Sequence, residues 1–327
     1  MVTRRNLFGA TGALGLLGLL SGCSVTKQGT GLPTPSGTPS STTTPTPTPT
    51  PIPTPTFPAG EPLPEGLVNV LVLGSDSRSP DLDEDAHSDV ITLVQLTPDR
   101  LHMNMVSVPR DTYAQLQTGG YAKINDGFVY GGASGMAWAV GNLLQVPVHY
   151  TIETGFHAFN QAIEMLGGVT VYNRIASDSF GSVFDGGWIR LDSSTALNYV
   201  RERYGLPNGD LDRTERHRAT LTGMAARIGE LANQDAFAVL EYLPPWWNTV
   251  RVGGLSIDHA IGLIKTSKSY THDSVSSAMV PIAYFDMVNN QSVNRVNDFR
   301  LAQLVAQLQA GDISAYVAED GMDTSPR

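Results

Sequence analysis

Cysteine is almost absent from this chain of 327 residues: Cys23 is the only one. A disulfide within the chain is therefore impossible, and a cysteine-based zinc site is excluded. Lysine is scarce as well, at four residues against seventeen arginines. The net charge is −10, which lacks the broad positive potential that a general nucleic-acid binder requires. Familiar catalytic signatures are missing too. There is no G-x-S-x-G, no H-E-x-x-H and no phosphate-binding Walker loop. What the chain has instead is arginine, whose planar guanidinium can hold a phosphate with two hydrogen bonds at once.

The amino terminus reads as an address. Arg4 and Arg5 precede an apolar run from Gly9 to Leu20, too short for a permanent membrane span of about 20 residues. Thr3 to Phe8 resembles a twin-arginine export signal. Leu20-Ser21-Gly22-Cys23 resembles a lipobox, in which the cysteine is diacylated and becomes the first residue. Residues 1–22 are thus expected to be a signal peptide and Cys23 a lipidation site. Residues 23–66 are dominated by Thr and Pro. Alternating proline bars helix and sheet ladders and favours, from Gly29 to Pro64, an extended spacer roughly 100 Å long at about 3.1 Å per residue. The expected location is the outer face of the cytoplasmic membrane, in the cell-wall space.

Folding is expected from residue 67 to residue 310. Val68 to Gly74 is an apolar run ending in glycine, as a buried strand would be. Val90 to Leu96 and Leu101 to Val108 form a hairpin around the Thr97-Pro98-Asp99-Arg100 turn. Gly168 to Tyr172 and Ala278 to Ile282 are further strand candidates. Ser134 to Leu144, Phe156 to Leu166, Asp212 to Leu231, Asp258 to Lys268 and Asp298 to Leu308 have helical spacing. Strands and helices alternate in type along the chain, so the expected class is an α/β sandwich. Residues 311–327 read as a frayed polar tail.

Charged residues gather at the predicted strand ends. Asp76 and Arg78 follow the first strand, His87 and Asp89 precede the second, and Arg110 and Asp111 follow the third. Ligands of open α/β sheets bind in such crevices. A denser group follows: Arg201, Arg203, Arg213, Arg216, His217 and Arg218. If residues 199–203 are extended, Arg201 and Arg203 share a face. Asp210 or Asp212 suits a helix cap, which places Arg213, Arg216 and His217 on one face of the following helix. A solvated salt-bridge face explains the composition equally well. Together with the aspartates, the set would suit a diphosphate held by arginine and a divalent cation.

At these residues the chain resembles the LytR-CpsA-Psr family of wall-polymer transferases. The matching stretches are LGSDSR, SDVITLV, VSVPRDTY, AKINDGFVYGG, GGVTV from Gly167, and ALNYVRERYGLPNGDLDRTERHR. Their order and spacing carry the resemblance, from about Asn69 to Arg227 and more weakly to about Leu308. It implies an α/β/α sandwich with a mixed central sheet. It implies a polyprenyl-pyrophosphate-linked glycan as donor, with the prenyl tail in an apolar tunnel, and a peptidoglycan hydroxyl as acceptor. Helices within residues 134–166 and 212–231 are expected to line that tunnel. Mg²⁺ or Mn²⁺ would be held by Asp76 and Asp89. Arg78, Arg110, Arg201 and Arg203 would face the phosphates, with Asp111 orienting Arg110. His87, Arg213, Arg216 and His217 would complete the diphosphate site. Lys123 and Asn125 match a loop near it. The family usually has arginine where this chain has His87 and glutamine where it has His217. Two other outcomes remain open on these residues: a non-catalytic glycolipid-binding lipoprotein, and a pyrophosphatase that uses water as acceptor.

Overall fold

β1 (Val68–Ser75) is buried along nearly its whole length, on both faces. That is why it reads as an unbroken apolar run rather than an alternation. It pairs antiparallel with β2 (Ser88–Leu96), which pairs antiparallel with β3 (Met103–Ser107). On its other side β1 pairs in parallel with the strand Tyr150–Thr154. The edge strands are Arg251–Gly253, antiparallel to Tyr150–Thr154, and Val275–Met279, parallel to β3. The result is a mixed six-stranded sheet with β1 and β2 at its centre. The coordinates are those of a computed structural model, which describes residue 63, residues 65–77, residue 82 and residues 88–320. All of these belong to the second of two units, Met1–Pro49 and Thr50–Arg327. The expected signal peptide, Cys23 and most of the Thr/Pro-rich stretch lie outside the described residues, as do Arg78 and His87.

Strand alternation sends neighbouring residues to opposite faces. Leu71, Leu73, Ile91 and Leu93 pack with Met136 and Val140 of α1 (Asp126–Leu144). Leu304 and Leu308 of α6 (Asp298–Ala310) join the same cluster. Val68, Val70, Leu96 and Met105 face the other way, toward Ala225 and Tyr270. That side is covered by α4 (Asp210–Trp247) and α5 (Ile257–Thr266). The architecture is an α/β/α sandwich with a mixed central sheet, as the sequence predicts.

Polar residues inside β1 to β3 satisfy one another. Asn69, Gln95 and Asn104 are aligned by register, and their amides are linked at 3.0 and 2.9 Å. Asn104 continues the ladder to the Gly311 carbonyl at 2.8 Å. A buried amide costs little when its hydrogen bonds are complete.

Several sequence expectations need correction. Residues 311–320 are not a frayed tail: α7 (Ser314–Asp320) follows Gly311, and Ile313, Tyr316 and Val317 are buried in the first core cluster. The polar letters hide three inward side chains one helical turn apart. The run 278–282 is not one strand, because Val275–Met279 ends before Pro281 and a separate hairpin begins at Ile282. Residues 199–201 are not extended but end α3 (Ala196–Arg201). Neither Asp210 nor Asp212 caps α4. Gly209 does, at φ 55°, a conformation that glycine adopts without strain.

Candidate functional site

The sheet brings four strand ends to one edge. They are the C-terminal ends of β1, β3 and Tyr150–Thr154, and the N-terminal end of the antiparallel β2. Asp76, Asp89, Arg110 and Thr154 therefore lie at neighbouring ends. The start of α2 (Phe156–Met165), the end of α3 and the first two turns of α4 close over them. Together they enclose a cavity of about 760 Å³. Its walls include Asp76, Asp89, Arg110, Arg201, Arg203, Arg213 and His217.

The arginines are held in two different ways. Arg110 donates to Asp89 at 2.7 Å, and Arg213 meets the second oxygen of Asp89 at 3.3 Å. Arg213 also contacts Asp210 at 2.6 Å, and Arg110 lies 3.6 Å from the same oxygen. Two carboxylates and two guanidiniums thus form a closed, formally neutral ring. Burial opposes the charge on Asp89, yet Arg213 and the Arg110 hydrogen bond hold its carboxyl below the usual carboxylate range. Burial also works against the charge on Arg110, but Asp89 holds its pKa above the ordinary arginine value.

Arg201 and Arg203 meet no carboxylate among the described residues. Arg201 lies over the rings of Phe156 and Phe180, at 5.2 and 5.3 Å from their centroids. Arg203 lies 4.6 Å from the centroid of Tyr204. An aromatic face orients a guanidinium without cancelling its charge. These two side chains therefore carry the uncompensated positive charge of the cavity. A site so built can hold a doubly or triply charged anion and stabilise negative charge developing on it.

Not every predicted residue arrives here. Arg216 is turned away from the cavity and buried. It pairs with Glu202 at 2.7 Å and donates to the Ile175 carbonyl at 3.0 Å and to Ser177 Oγ at 2.7 Å. It is a structural arginine, not a diphosphate ligand. The helix turns 100° per residue, so Arg213 and His217 can share the cavity while Arg216 sits past its rim. Asp111 does not orient Arg110, since its carboxylate pairs with Lys123 at 2.8 Å. Neither Asp111 nor Lys123 lines the cavity. The Asn125 backbone N–H donates to the Arg110 carbonyl at 3.2 Å. His217 does line the cavity, but burial, reinforced by Arg213, pushes its pKa down to about 3. The ring is neutral and bonds to the Val200 carbonyl through Nε2 at 2.9 Å.

Phe156, Phe180 and Tyr204 were not legible as site residues. Phe156 and Phe180 lie in none of the matching stretches, Tyr204 lies in one that marks its arginines, and the spacing from Phe156 to Arg201 has meaning only after folding. Asp76 and Asp89 share the cavity, and Asp76 is exposed. Among the described residues no group of three or more acidic, His or Cys side chains could hold a metal ion. The cavity offers two carboxylates to a divalent cation, of which Asp89 already accepts from Arg110 and Arg213 on its two oxygens and Asp76 is exposed, so substrate oxygens and water would supply the remaining ligands.

A second cavity, of about 320 Å³, adjoins the first through Val72 and Leu221, which line both. Its walls are almost wholly apolar. They include Met105, Met165, Met224, Ile228, Leu243 and Trp246. Residues 212–231 line it as expected. From residues 134–166 the contributors are Ile152 of the strand Tyr150–Thr154, Ala162 and Met165 of α2, and Leu166. The Met136–Val140 run instead fills the core on the opposite face of the sheet.

Comparison with known proteins gives the family and the fold. The model of the LytR_cpsA_psr family matches residues 50–310. The chain is 36% identical over 160 residues to the polyisoprenyl-teichoic acid–peptidoglycan teichoic acid transferase TagU of Oceanobacillus iheyensis. That match covers 47% of this chain and 49% of the relative. The TagU of Bacillus subtilis (strain 168) is 33% identical over 178 residues, covering 53% of this chain and 57% of its own. The chain thus spans about half the length of these relatives. Among solved structures, B. subtilis TagV superposes with a TM-score of 0.66 at 23% identity, over 76% of this chain and 97% of TagV. TagT bound to LIIa-WTA superposes at 0.63 with 27% identity, over 75% of this chain and 90% of TagT. The family match covers more than three quarters of the sequence and includes every wall of the two cavities. The chain belongs to the LytR_cpsA_psr family.

Proposed function

We propose that the protein transfers a glycopolymer from a polyprenyl-pyrophosphate carrier to a peptidoglycan hydroxyl, leaving a phosphodiester. The observation that carries this reading is the junction of the two cavities. An arginine-lined chamber adjoins an apolar one, with Val72 and Leu221 in the walls of both. A ligand that is anionic at one point and a long hydrocarbon beyond it matches that pair. Burying prenyl carbons contributes about 0.8 kcal/mol per CH₂, so an apolar chamber of this kind favours a lipid over a free nucleotide or sugar phosphate. The relatives named as teichoic acid transferases, and TagT bound to LIIa-WTA, support the same class of substrate.

In the transfer, the acceptor oxygen attacks the phosphorus next to the glycan and forms the new P–O bond. The P–O bond to the second phosphate breaks, and polyprenyl phosphate leaves with the electron pair. The acceptor proton passes to solvent or to a phosphate oxygen. Such a reaction demands positioning and charge neutralisation more than a dedicated base. Arg201 and Arg203 hold the diphosphate with charge that no protein carboxylate has cancelled. Asp89 and Asp210 fix Arg110 and Arg213 against the sheet edge, so these donors need little reorganisation. Asp76 and Asp89 would hold a magnesium ion, which would supply positive charge to the diphosphate. Asp76→Asn should then abolish the divalent-cation requirement or the activity.

The same reading puts the protein on the outer face of the cytoplasmic membrane, held there by a diacylated Cys23. The apolar run and Leu20-Ser21-Gly22-Cys23 support this. Among the described residues no helix is long and apolar enough to cross a membrane. Cys23→Ala should move the protein from the membrane fraction to the medium or leave an uncleaved precursor.

The test of function combines radiolabelled polyprenyl-pyrophosphate glycan, purified peptidoglycan and Mg²⁺. Label joined to peptidoglycan supports transfer. Release of a soluble phosphorylated glycan would make the protein a pyrophosphatase, and binding without either product would make it a carrier-lipid binder.

A further inference from the structure

The phosphate cavity has a wet end and a buried end. Only three of its lining residues are exposed, Asp76, Phe180 and Tyr204, so these mark where it meets solvent. The half-buried Val72 and Leu221 mark the side on which it adjoins the apolar chamber. If the lipid tail occupies that chamber, the parts of the substrates beyond the diphosphate leave through the mouth. Those parts are sugars.

The mouth is built from aromatic rings that burial does not explain. Tyr204 is 88% exposed and Phe180 59% exposed. Each ring has a guanidinium over it, Arg203 at 4.6 Å and Arg201 at 5.3 Å, and is otherwise largely open to water. Phe180 sits at the tip of the hairpin Ser177–Ser179 and Ser182–Phe184, in a two-residue loop with Gly181. Both loop residues have positive φ, 51° and 76°. Such a loop favours asparagine followed by glycine, and a bulky side chain in the first place is strained. Strain of this kind persists where a site uses the side chain.

We propose that Phe180 and Tyr204 form a stacking platform for a neutral sugar ring at the mouth of the cavity. The inference rests on the transfer reading above and deepens it. The apolar C–H face of a pyranose lies against an aromatic ring, while its hydroxyls stay in water. Each arginine covers part of its ring, and the exposed remainder is the surface offered to the sugar. The ring bound belongs either to the donor glycan or to the acceptor glycan.

Full-length wild type, Phe180→Ala, Tyr204→Ala and Tyr204→Phe are compared in three measurements. They are the Kd for polyprenyl pyrophosphate without sugar, the Kd for the same lipid carrying a disaccharide, and the KM for a peptidoglycan glycan in transfer. Loss of one stacked ring is expected to weaken a sugar-dependent step about tenfold, and Tyr204→Phe to restore it. Weaker binding of the disaccharide lipid alone assigns the platform to the donor. A raised acceptor KM alone assigns it to the acceptor. If the sugar-free lipid weakens by the same factor, the rings only position Arg201 and Arg203 and the platform is overturned. Unchanged values throughout overturn it as well. If wild type transfers nothing, the transfer reading falls, while the difference between the two lipids still decides the platform.

Discussion

Arg216 lies 2.7 Å from Glu202, and both side chains are buried, at 4% and 2% exposure. This pair locks the start of α4 to the end of α3, and Ser177 donates to the same Glu202 oxygen at 2.7 Å. Removing one partner of a buried pair leaves an uncompensated charge and costs about 3 to 5 kcal/mol. Arg216→Ala and Glu202→Ala should each lower unfolding free energy by that order in urea titrations. Folded Arg216→Ala protein should bind diphosphate nearly as well as wild type. A selective loss of binding with unchanged stability would return Arg216 to the site.

Arg201 and Arg203 are expected to matter most for the ligand, because no carboxylate shares their charge. A charge-assisted hydrogen bond contributes about 1.5 to 3 kcal/mol. Arg201→Ala or Arg203→Ala should therefore weaken polyprenyl-diphosphate binding by about one to two orders of magnitude. Arg227 donates to the Leu166 carbonyl and pairs with Glu230, outside the cavity. Arg227→Ala should leave the affinity within about threefold. Equal losses at all three positions would point to general destabilisation.

His217 sets a pH dependence of stability rather than of binding. Its folded pKa lies at about 3, well below the ordinary histidine value of 6.5, because it is buried beside Arg213. The unfolded chain therefore takes up a proton that the folded chain refuses. The contribution of His217 is fully present above pH 6.5 and is lost as pH falls toward 3. The slope approaches about 1.4 kcal/mol per pH unit in the middle of that window. His217→Gln should flatten this part of the profile between pH 7 and pH 5. Unfolding curves with the same slope for both proteins would show that the ring is accessible to protons. Any strengthening of lipid binding between pH 8 and pH 6 must then come from another group, with His87 the expected one.

Leu221 stands at the junction of the two chambers. Leu221→Trp should narrow the passage and weaken a long-chain prenyl diphosphate more than a short-chain one. An affinity ratio that stays at the wild-type value would mean that the tail takes another path.

Much of this protein was readable before any fold was known. Periodicity placed β1 to β3, the hairpin at Thr97 to Arg100, and most helices, because binary patterning reflects which face is covered. Asp76, Asp89 and Arg110 were legible as site residues because strand ends in an α/β sheet share an edge. Arg201 and Arg203 were found through the wrong local structure. Residues 199–201 are helical, yet both arginines still reach the cavity. Composition could not separate Arg213 from Arg216, which lie three residues apart on one helix. The difference is a rotation about the helix axis, and only the packing of α4 against its neighbours fixes that rotation.

The sequence by itself determined most of the elements, the arginine-rich chemistry and the family, because these depend on residue type and on order along the chain. The tertiary structure decided which charges are free. Asp89 and Asp210 neutralise Arg110 and Arg213, Glu202 neutralises Arg216, and Phe156, Phe180 and Tyr204 leave Arg201 and Arg203 charged. Those partners are separated by up to 124 residues along the chain. Coulomb energy depends on distance in space, so no count of arginines could have told the ligand-facing charges from the spent ones.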